Sequence, residues 1–262
     1  MDQSTAIETE SLVKDFKGFR AVDNVNLKVR RGSIHALIGP NGAGKTTCFN
    51  LITKFLQPTS GRIFLNGQDI TRLAPASVAR LGLVRSFQIS ATFPHLTLLE
   101  NVRIALQRQL GTSFHFWRSE TTLDQLNERA MEILQEVGLA GSESLVAAEL
   151  PYGRKRVLEI ATTLALGPEV MLLDEPMAGM GREDIGRISQ LIRKVAKSRT
   201  VLMVEHNLSV VADLSDTITV LARGRVIAEG PYATVSQNPQ VIEAYMGTTD
   251  AESSPALRGA HG

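Results

Sequence analysis

The feature that most constrains the fold is an apolar stretch, residues 34–38, that runs directly into the motif Gly-x-x-x-x-Gly-Lys-Thr of residues 39–46. A loop that surrounds a phosphate must point several backbone N–H groups inward, and glycines permit the dihedral angles and close approach that this requires. A helix that opens near Lys45 adds the positive end of its dipole. The order strand, glycine-rich loop, helix therefore predicts a loop that binds the phosphates of a nucleoside triphosphate.

The side chains of this loop predict separate roles. Lys45 is placed to contact the β- and γ-phosphates as a point charge, and the Thr46 hydroxyl is placed to ligate Mg²⁺. Backbone N–H groups of the loop and of the first helical turn are expected to surround the phosphates. The predicted nucleotide-binding residues here are Gly39, Asn41, Gly42, Ala43, Gly44, Lys45, Thr46 and Thr47.

The composition limits the kinds of binding partner and the cellular location that we expect for this protein. The 262 residues, 43% hydrophobic and 21% charged, are typical of a globular protein with a sizeable core. With 28 Lys plus Arg against 27 Asp plus Glu, the charge balance predicts no nucleic-acid partner. Cys48 is the only cysteine, which excludes an internal disulfide and a cysteine-based metal site; we interpret it as a packing residue. No signal peptide and no apolar run near the ~18 residues that span a bilayer is present, which predicts a cytoplasmic protein that meets a membrane only through a partner.

Alternating patterns on both sides of the loop predict strands. Residues 12–16, and then Val25, Leu27 and Val29 with polar residues between them, follow the period of half-buried antiparallel strands. Residues 63–65 precede Asn-Gly, which predicts a strand that ends in a tight turn. A helix over residues 46–56 is expected to lie between these strands.

The second half of the chain changes from helical to strand patterns. From about residue 89, helical spacing dominates, and a further helix over residues 157–165 ends at Gly-Pro. Buried strands are predicted at 170–174 and 201–204, then a hairpin and a short helix near 240–246. Residues 248–262 are small and polar without a period, which predicts a disordered tail.

Polar residues follow several of these strands. Gln88, the pair Asp174 and Glu175, and His206 each come where a predicted strand ends, which is the edge at which α/β sheets bind ligands. Asp174 is expected to hold Mg²⁺, mostly through water, and Glu175 to orient or deprotonate the attacking water. The alternative for the two acids is a helix N-cap. For His206, we expect a γ-phosphate contact, and the alternative is a capping or packing residue.

These motifs together resemble a known family. Residues 39–46, Gln88, 150–155, 173–176 and 205–206 resemble, in this order, the phosphate loop, Q-loop, signature, acidic strand and switch histidine of the ABC (ATP-binding cassette) ATPases. The resemblance covers about residues 7 to 247. Within the family, three segments of the sequence resemble the ATPase subunits of branched-chain amino acid importers. These are Tyr152, residues 177–180 and residues 226–247.

The resemblance implies a fold and a set of contacts. The fold class is α/β, with a RecA-like P-loop core, an antiparallel β-subdomain and an inserted α-helical subdomain at about 89–155, so that residues 1–247 form one ATP-binding domain. The implied cofactors are ATP and Mg²⁺, with Gln88 also near the metal. Phe16 would stack on adenine as the family's aromatic residue does; the alternative is a core strand residue.

The resemblance also implies partners. Two cassettes, identical or homologous, would close head to tail on two ATP molecules, with Pro151, Tyr152 and Gly153 of one chain facing the nucleotide of the other. Gln88 and the following loop, including Phe93, would meet a coupling helix of one of two membrane permease subunits. The chain would then lie at the cytoplasmic face of the membrane, with a solute-binding protein as an indirect partner.

The implied function is ATP hydrolysis coupled to import of branched-chain amino acids or related small amino-acid or amide solutes. One alternative is the ATPase of a lipopolysaccharide exporter, whose sequences resemble this group. Another is a soluble cassette acting in assembly or repair, although the segment from Gln88 to Leu150 is too short for the insertions of repair cassettes. A small-molecule kinase would account for the phosphate loop but not for Gln88, the signature-like segment and His206.

The signature departs from the family's pattern. Where Leu-Ser-x-Gly-Gln is usual, the sequence has Leu-Pro-Tyr-Gly-Arg at residues 150–154. Pro151 offers neither a hydroxyl nor an N–H, and a missing donor of this kind costs on the order of 2 to 4 kcal/mol in comparable oxyanion sites. Arg154 adds a charge that partly compensates, and Gly181 replaces the Asp or Asn common after the acids. We therefore expect an intact site on the chain's own loop and an impaired site completed by its signature.

Overall fold

The computed structural model describes residues 4–86, 92–107 and 126–246. The chain divides into two compact units, which are described separately. The first contains Met1–Arg72 with Val204–Gly262, and the second contains Leu73–Met203. Within the described ranges, no helix is both long enough and apolar enough to cross a bilayer.

An antiparallel sheet in the first unit is built from the alternating segments. Val25, Leu27 and Val29 are fully buried, which confirms the predicted inward face. The turn at Asn66 (φ 51°) and Gly67 (φ 80°) joins the last two strands, as the Asn-Gly pair predicts. In the order β2-β1-β4-β5, the strands of the sheet are β1 (Thr5–Phe16), β2 (Phe19–Arg30), β4 (Ser60–Leu65) and β5 (Gln68–Asp69).

A second group of strands in the first unit carries the phosphate loop. β3 (Ile34–Ile38) is buried along its whole length and pairs in parallel with β9 (Thr217–Ala222). β9 in turn pairs in antiparallel fashion with β10 (Arg225–Gly230), the predicted hairpin. The loop therefore leaves the carboxyl end of a buried parallel strand, the place where α/β folds bind ligands.

The described part of the first unit contains four helices, and one prediction about them was wrong. The helix after the loop does not extend to residue 56. It ends at Ile52, and Lys54 has a left-handed backbone (φ 65°) that stops helical hydrogen bonding. The helices are α1 (Lys45–Ile52), α7 (Leu208–Leu214), α8 (Tyr232–Val235) and α9 (Pro239–Met246).

The second unit combines parallel strands with helices. Its strands β6 (Leu83–Ser86) and β7 (Val170–Asp174) pair in parallel, and β7 and β8 (Thr200–Val204, of which Val204 belongs to the first unit) are buried throughout. The strand predicted to reach Gln88 is described only to Ser86, and Gln88 lies outside the described residues. The helices are α2 (Pro75–Arg80), α3 (Leu98–Gln107), α4 (Asn127–Glu136), α5 (Tyr152–Ala165) and α6 (Arg182–Ala196).

Three helices of the second unit form a cluster, in which α3 packs against α4 and α5. Residues 94–99 run beside residues 143–148 through backbone hydrogen bonds, including Leu98 N–H to Leu145 O at 3.0 Å. The Asn101 side chain lies beneath this pair of segments and bonds the N–H and the carbonyl of Phe93, whose ring is 50% exposed. The predicted tail at 248–262 lies outside the described residues.

Candidate functional site

Two glycines fix the conformation of the phosphate loop. Gly39 has φ 149°, and a Cβ there would lie 2.1 Å from the carbonyl oxygen of Leu221. Gly44 has φ 99°, and its Cβ would lie 2.4 Å from the carbonyl oxygen of Ala21. Both contacts are with backbone, which cannot move aside as a side chain can, so only glycine fits at either position.

The ammonium group of Lys45 lies across this loop. Its Nζ donates to the carbonyl oxygens of Gly39 at 2.6 Å and Pro40 at 3.0 Å. Asn41, Gly42 and Thr46 are exposed, whereas Ala43 is buried and its N–H donates to the Pro40 carbonyl at 3.2 Å. The loop thus presents a positive charge and a helix N-terminus at one exposed concavity, a suitable environment for phosphate.

Two buried titratable side chains lie on the elements that flank the loop, His35 on β3 and Cys48 on α1. The Thr219 hydroxyl donates to the Glu229 carboxylate at 2.7 Å, so His35 Nε2, which is 2.8 Å from the same hydroxyl, is the donor in that contact. Burial, together with the nearby Arg30, lowers the pKa of His35 to about 4, so the ring is neutral at pH 7. Burial raises the pKa of the Cys48 thiol to about 12, which supports its interpretation as a packing residue.

The C-terminal helix α9 also reaches the loop. Burial raises the pKa of the Tyr245 hydroxyl to about 12, and the nearby Gly39 backbone opposes this rise. The first glycine of the loop is therefore in contact with the last described helix of the chain. No pattern in the sequence predicts this contact.

Two further predicted residues belong to the first unit. Glu205 is fully buried, and its carboxylate accepts from the backbone N–H groups of His206 at 3.2 Å and Asn207 at 3.4 Å, while His206 is exposed. Phe16 ends β1 opposite Phe19, and its ring is 42% exposed with Lys14 Nζ 5.1 Å from the ring centre. Phe16 is therefore a surface residue, and the alternative of a core strand residue is wrong.

The acidic pair lies in the second unit, at the end of β7. Asp174 is 4% exposed, and its carboxylate forms an ion pair with the guanidinium of Arg85 on β6. The backbone carbonyl of Asp174 accepts from Arg156 Nη2 at 3.0 Å. Glu175 follows with φ 45°, a left-handed backbone that is uncommon for a residue with a side chain.

Arg156 connects this strand end to the signature helix α5. Its guanidinium also donates to the Glu159 carboxylate at 2.5 Å, and both side chains are buried. Burial raises the pKa of Glu159, and the charge of Arg156 and its hydrogen bond oppose this rise. Because a buried charge needs a partner, Arg156 and Glu159 pair within α5, and the bond from Arg156 to the Asp174 carbonyl holds α5 against the end of β7.

The signature residues open α5. Pro151 is the N-cap residue, and no side chain caps the helix there. Tyr152 is 60% exposed, and its hydroxyl donates to the Ala178 carbonyl at 3.1 Å. A Cβ on Gly153 would lie 2.5 Å from the carboxylate carbon of Asp184, so a negative charge lies beside this helix N-terminus.

Arg154 does not face outward from the signature. Its Nη2 donates to the Ser142 hydroxyl at 2.7 Å, within the same unit. Gly181 is the N-cap residue of α6 and supplies no side chain at the position that follows the acids. Because the Arg154 guanidinium is bonded to Ser142, its charge compensates less than expected for the donor that Pro151 lacks.

Sequence reasoning missed Arg85 and Asp184. A signal for Arg85 exists, because a charged residue within an otherwise apolar strand that neighbours an acidic strand end needs a counter-charge. Asp184 gave no signal, because acidic residues are common in the first turn of any helix. Its proximity to Gly153 follows from packing between α5 and α6 alone.

The donor atoms present suit Mg²⁺ better than a transition metal. Across the described ranges, no group of three or more His, Cys, Asp or Glu side chains is placed to hold a metal. The Thr46 hydroxyl of the first unit and the Asp174 carboxylate of the second are each a hard oxygen donor, the kind that Mg²⁺ takes in small number with water and phosphate completing its shell. A guanidinium already lies on the Asp174 carboxylate, so this position stabilises a cation.

Comparison with known proteins agrees with this arrangement. The model of the ABC transporter family matches residues 22–178, and the model described as the branched-chain amino acid ATP-binding cassette transporter matches residues 225–251. The high-affinity branched-chain amino acid transport ATP-binding protein BraF of Pseudomonas aeruginosa is 40% identical, over 92% of this chain and 97% of its own length. The corresponding LivG of Escherichia coli is 37% identical over the same shares.

Solved structures give the same result. The ADP conformation of MJ1267, an ATP-binding cassette of an ABC transporter, is 33% identical with a TM-score of 0.83, covering 93% of this chain and 99% of that one. A dimeric post-hydrolysis state of the cassette MJ0796 with ADP and Pi is 25% identical with a TM-score of 0.72, covering 86% and 98%. The chain belongs to the ABC transporter family, as an ATPase subunit similar to the branched-chain amino acid ATP-binding proteins.

Proposed function

We propose that the chain hydrolyses ATP on behalf of a membrane importer for branched-chain amino acids or related small amino-acid or amide solutes. The observation that carries the proposal is the phosphate loop, in which Gly39 and Gly44 leave no room for a Cβ and Lys45 lies across the carbonyl groups. The match of residues 225–251 to the branched-chain group supports the solute class.

Residues of the first unit are proposed to bind the nucleotide. Phe16 stacks on the adenine ring, the loop N–H groups and Lys45 bind the phosphates, and the Thr46 hydroxyl ligates Mg²⁺. His206 contacts the γ-phosphate, and the buried Glu205 fixes the backbone that carries it. The exposure of Phe16, Thr46 and His206 supports these roles.

Residues of the second unit are proposed to carry the hydrolytic chemistry. Asp174 and Gln88 complete the Mg²⁺ site, and Glu175 orients the water and accepts its proton. Mg²⁺ at such a site neutralises charge that develops on the phosphate oxygens. The left-handed backbone of Glu175 turns its side chain away from the direction that a continued strand would give it.

The proposed partners are a second cassette, which is identical or homologous, and two permease subunits at the cytoplasmic face of a membrane. Pro151, Tyr152 and Gly153 would face the nucleotide of the second cassette, and the exposed ring of Phe93 would meet a permease. Because the signature lacks a donor at position 151, a heterodimer would keep one strong site and a homodimer would weaken both.

The test is ATP turnover and leucine uptake by the assembled transporter in proteoliposomes. We expect Glu175→Gln to bind ATP but to lose hydrolysis at least 100-fold, as removal of a catalytic group does, and Lys45→Ala to lose ATP binding. Glu183→Gln is the matched control, because this side chain is exposed and pairs with Arg187 on its own helix.

Two outcomes would contradict the proposal. Hydrolysis that survives Glu175→Gln would remove Glu175 from the reaction. Purification with lipopolysaccharide-binding membrane subunits, or with none, would replace import by export or by a soluble role. Native mass measurement of the complex would distinguish a homodimer from a heterodimer.

A further inference from the structure

An ion pair that neither the family motifs nor the proposed roles include lies at the acidic strand end. The Asp174 side chain is 5% exposed and that of Arg85 is 13% exposed, and their charged groups are in contact. An ionised carboxylate at this depth needs a positive partner, and in the structure described here that partner is Arg85.

The position of Arg85 is fixed by the sheet. It lies on β6 directly opposite Leu172 in the parallel register with β7, two residues before Asp174. Leu83, Val84 and Ser86 on the same strand are buried, so Arg85 is the one charged residue of β6. A long side chain is needed to reach from this register position to the end of the neighbouring strand.

Two arginines contact Asp174, one at its backbone and the other at its side chain. Arg156 bonds the backbone carbonyl and pairs with Glu159, so it fixes where the strand ends. Arg85 bonds the carboxylate, so it fixes where the side chain points. Removing either arginine therefore has different consequences for a metal at Asp174.

We propose that Arg85 is a positioning residue that holds the Asp174 carboxylate ready for Mg²⁺ and competes with Mg²⁺ for it, and so sets the Mg²⁺ concentration at which nucleotide is bound. The inference rests on the proposed function, which places Mg²⁺ at Asp174. Mg²⁺ at this position would draw on the same negative charge of the Asp174 carboxylate as the Arg85 guanidinium does. It would therefore lengthen or displace the Arg85 contact.

The test titrates Mg²⁺ against the full-length protein with a fluorescent ATP analogue. In Arg85→Gln, we expect half-saturation at a Mg²⁺ concentration about three- to tenfold lower than in the wild type, since a competing cation has been removed. Arg85→Lys keeps the charge and should lie near the wild type. Arg199→Gln is the matched control, because Arg199 has a similarly covered side chain, 16% exposed, and pairs with Glu136 in the same unit.

An unchanged or higher Mg²⁺ requirement in Arg85→Gln would overturn the proposal. Loss of an arginine with a purely structural role would lower the stability of the protein but would not lower the Mg²⁺ concentration at half-saturation.

If the variants do not fold, the test is made on wild-type crystals grown with a non-hydrolysable ATP analogue, with and without Mg²⁺. We expect the Arg85–Asp174 contact to be longer with Mg²⁺, and an identical contact would overturn the proposal. A wild type that shows no Mg²⁺-dependent nucleotide binding would instead contradict the proposed function.

Discussion

Two of the junctions at which a loop turns into a helix are built in opposite ways. The first junction, Gly39 to Lys45, uses left-handed glycines and presents a lysine. The second, Leu150 to Gly153, opens with a proline and lies beside the carboxylate of Asp184. Both end at a helix N-terminus, which favours an anion.

The difference shows that a helix N-terminus alone does not make a phosphate site. At the first junction, the backbone and the nearest charge both favour the anion. At the second junction, one donor is absent and the nearest charge opposes it. We therefore expect the first junction to bind nucleotide alone and the second to add only a weak contact from a partner chain.

The largest effect is expected from a substitution that disrupts the first junction. Gly44→Ala places a Cβ 2.4 Å from the Ala21 carbonyl at φ 99°, so the loop must change shape. We expect ATP affinity to fall about 10³-fold, because several charge-assisted contacts are displaced together. Gly42→Ala is the control, since its Cβ meets nothing within 4 Å, and should cost far less. Calorimetric titration measures both, and equal losses would show that the close backbone contact is irrelevant.

The second prediction would repair the other junction. Pro151→Ser restores a hydroxyl and an N–H at an N-cap position, and the backbone there (φ −56°, ψ 155°) accepts serine. ATP turnover of the assembled transporter is expected to rise by up to about 10²-fold, the effect of one such donor. Pro231→Ser, at the N-cap of α8, is the matched control. No rise in turnover would mean that Pro151 does not limit that site.

The third prediction concerns how the free energy of unfolding depends on pH. His35, on the strand before the first junction, and Glu159, on the helix that the second junction opens, change it in opposite directions. The folded-state pKa of His35 is about 4 against 6.5 for a free histidine, so between these values the unfolded chain binds more protons. Unfolding free energy should fall by about 2 kcal/mol from pH 7 to pH 5 through His35 alone. Glu159 acts in the other direction, because its raised pKa favours the folded state as pH falls.

Urea unfolding at the two pH values measures this effect. His35→Asn keeps a hydrogen-bonding side chain beside Thr219 and removes the titration, so about 2 kcal/mol of the wild-type pH dependence should disappear. An equal pH dependence in the variant would show that the acid sensitivity arises elsewhere.

The smallest expected effect concerns the acid beside the signature. Asp184→Asn removes a negative charge that touches Gly153, and ATP-dependent pairing of cassettes should strengthen two- to fivefold, about 0.4 to 1 kcal/mol. Glu183→Gln, the neighbouring exposed acid in the same helical turn, should leave pairing unchanged. Sedimentation with ATP measures both variants, and a weaker association in Asp184→Asn would indicate that the carboxylate supports the signature.

Local patterns predicted most of the fold. The alternation around Val25 and the continuous apolar run before Asp174 identified strands that are buried as expected. The helix after the loop was predicted too long because Lys54 adopts a left-handed conformation, for which a lysine gives no signal. Helix α7 was missed because its cap, Asn207, comes only three residues after the end of β8, and its seven residues are too few to show a helical period.

The candidate site was predictable where chemistry depends on neighbouring residues along the chain. The loop and the acidic pair are of this kind. Contacts between distant elements were not predictable, as with Arg85 on Asp174 or Tyr245 near Gly39. Such contacts depend on strand register and helix packing, which a single sequence does not encode in any local spacing.

The left-handed backbone at Glu175 has a thermodynamic consequence. A non-glycine residue in this region costs on the order of 1 to 3 kcal/mol, and the partly exposed side chain recovers little of that through packing. A glycine would adopt the same dihedral angles without strain, so under the catalytic role proposed for Glu175 the chain gives up some fold stability for reactivity at this position. Loss of this carboxylate is therefore expected to leave a dead enzyme that is no less resistant to unfolding than the active one.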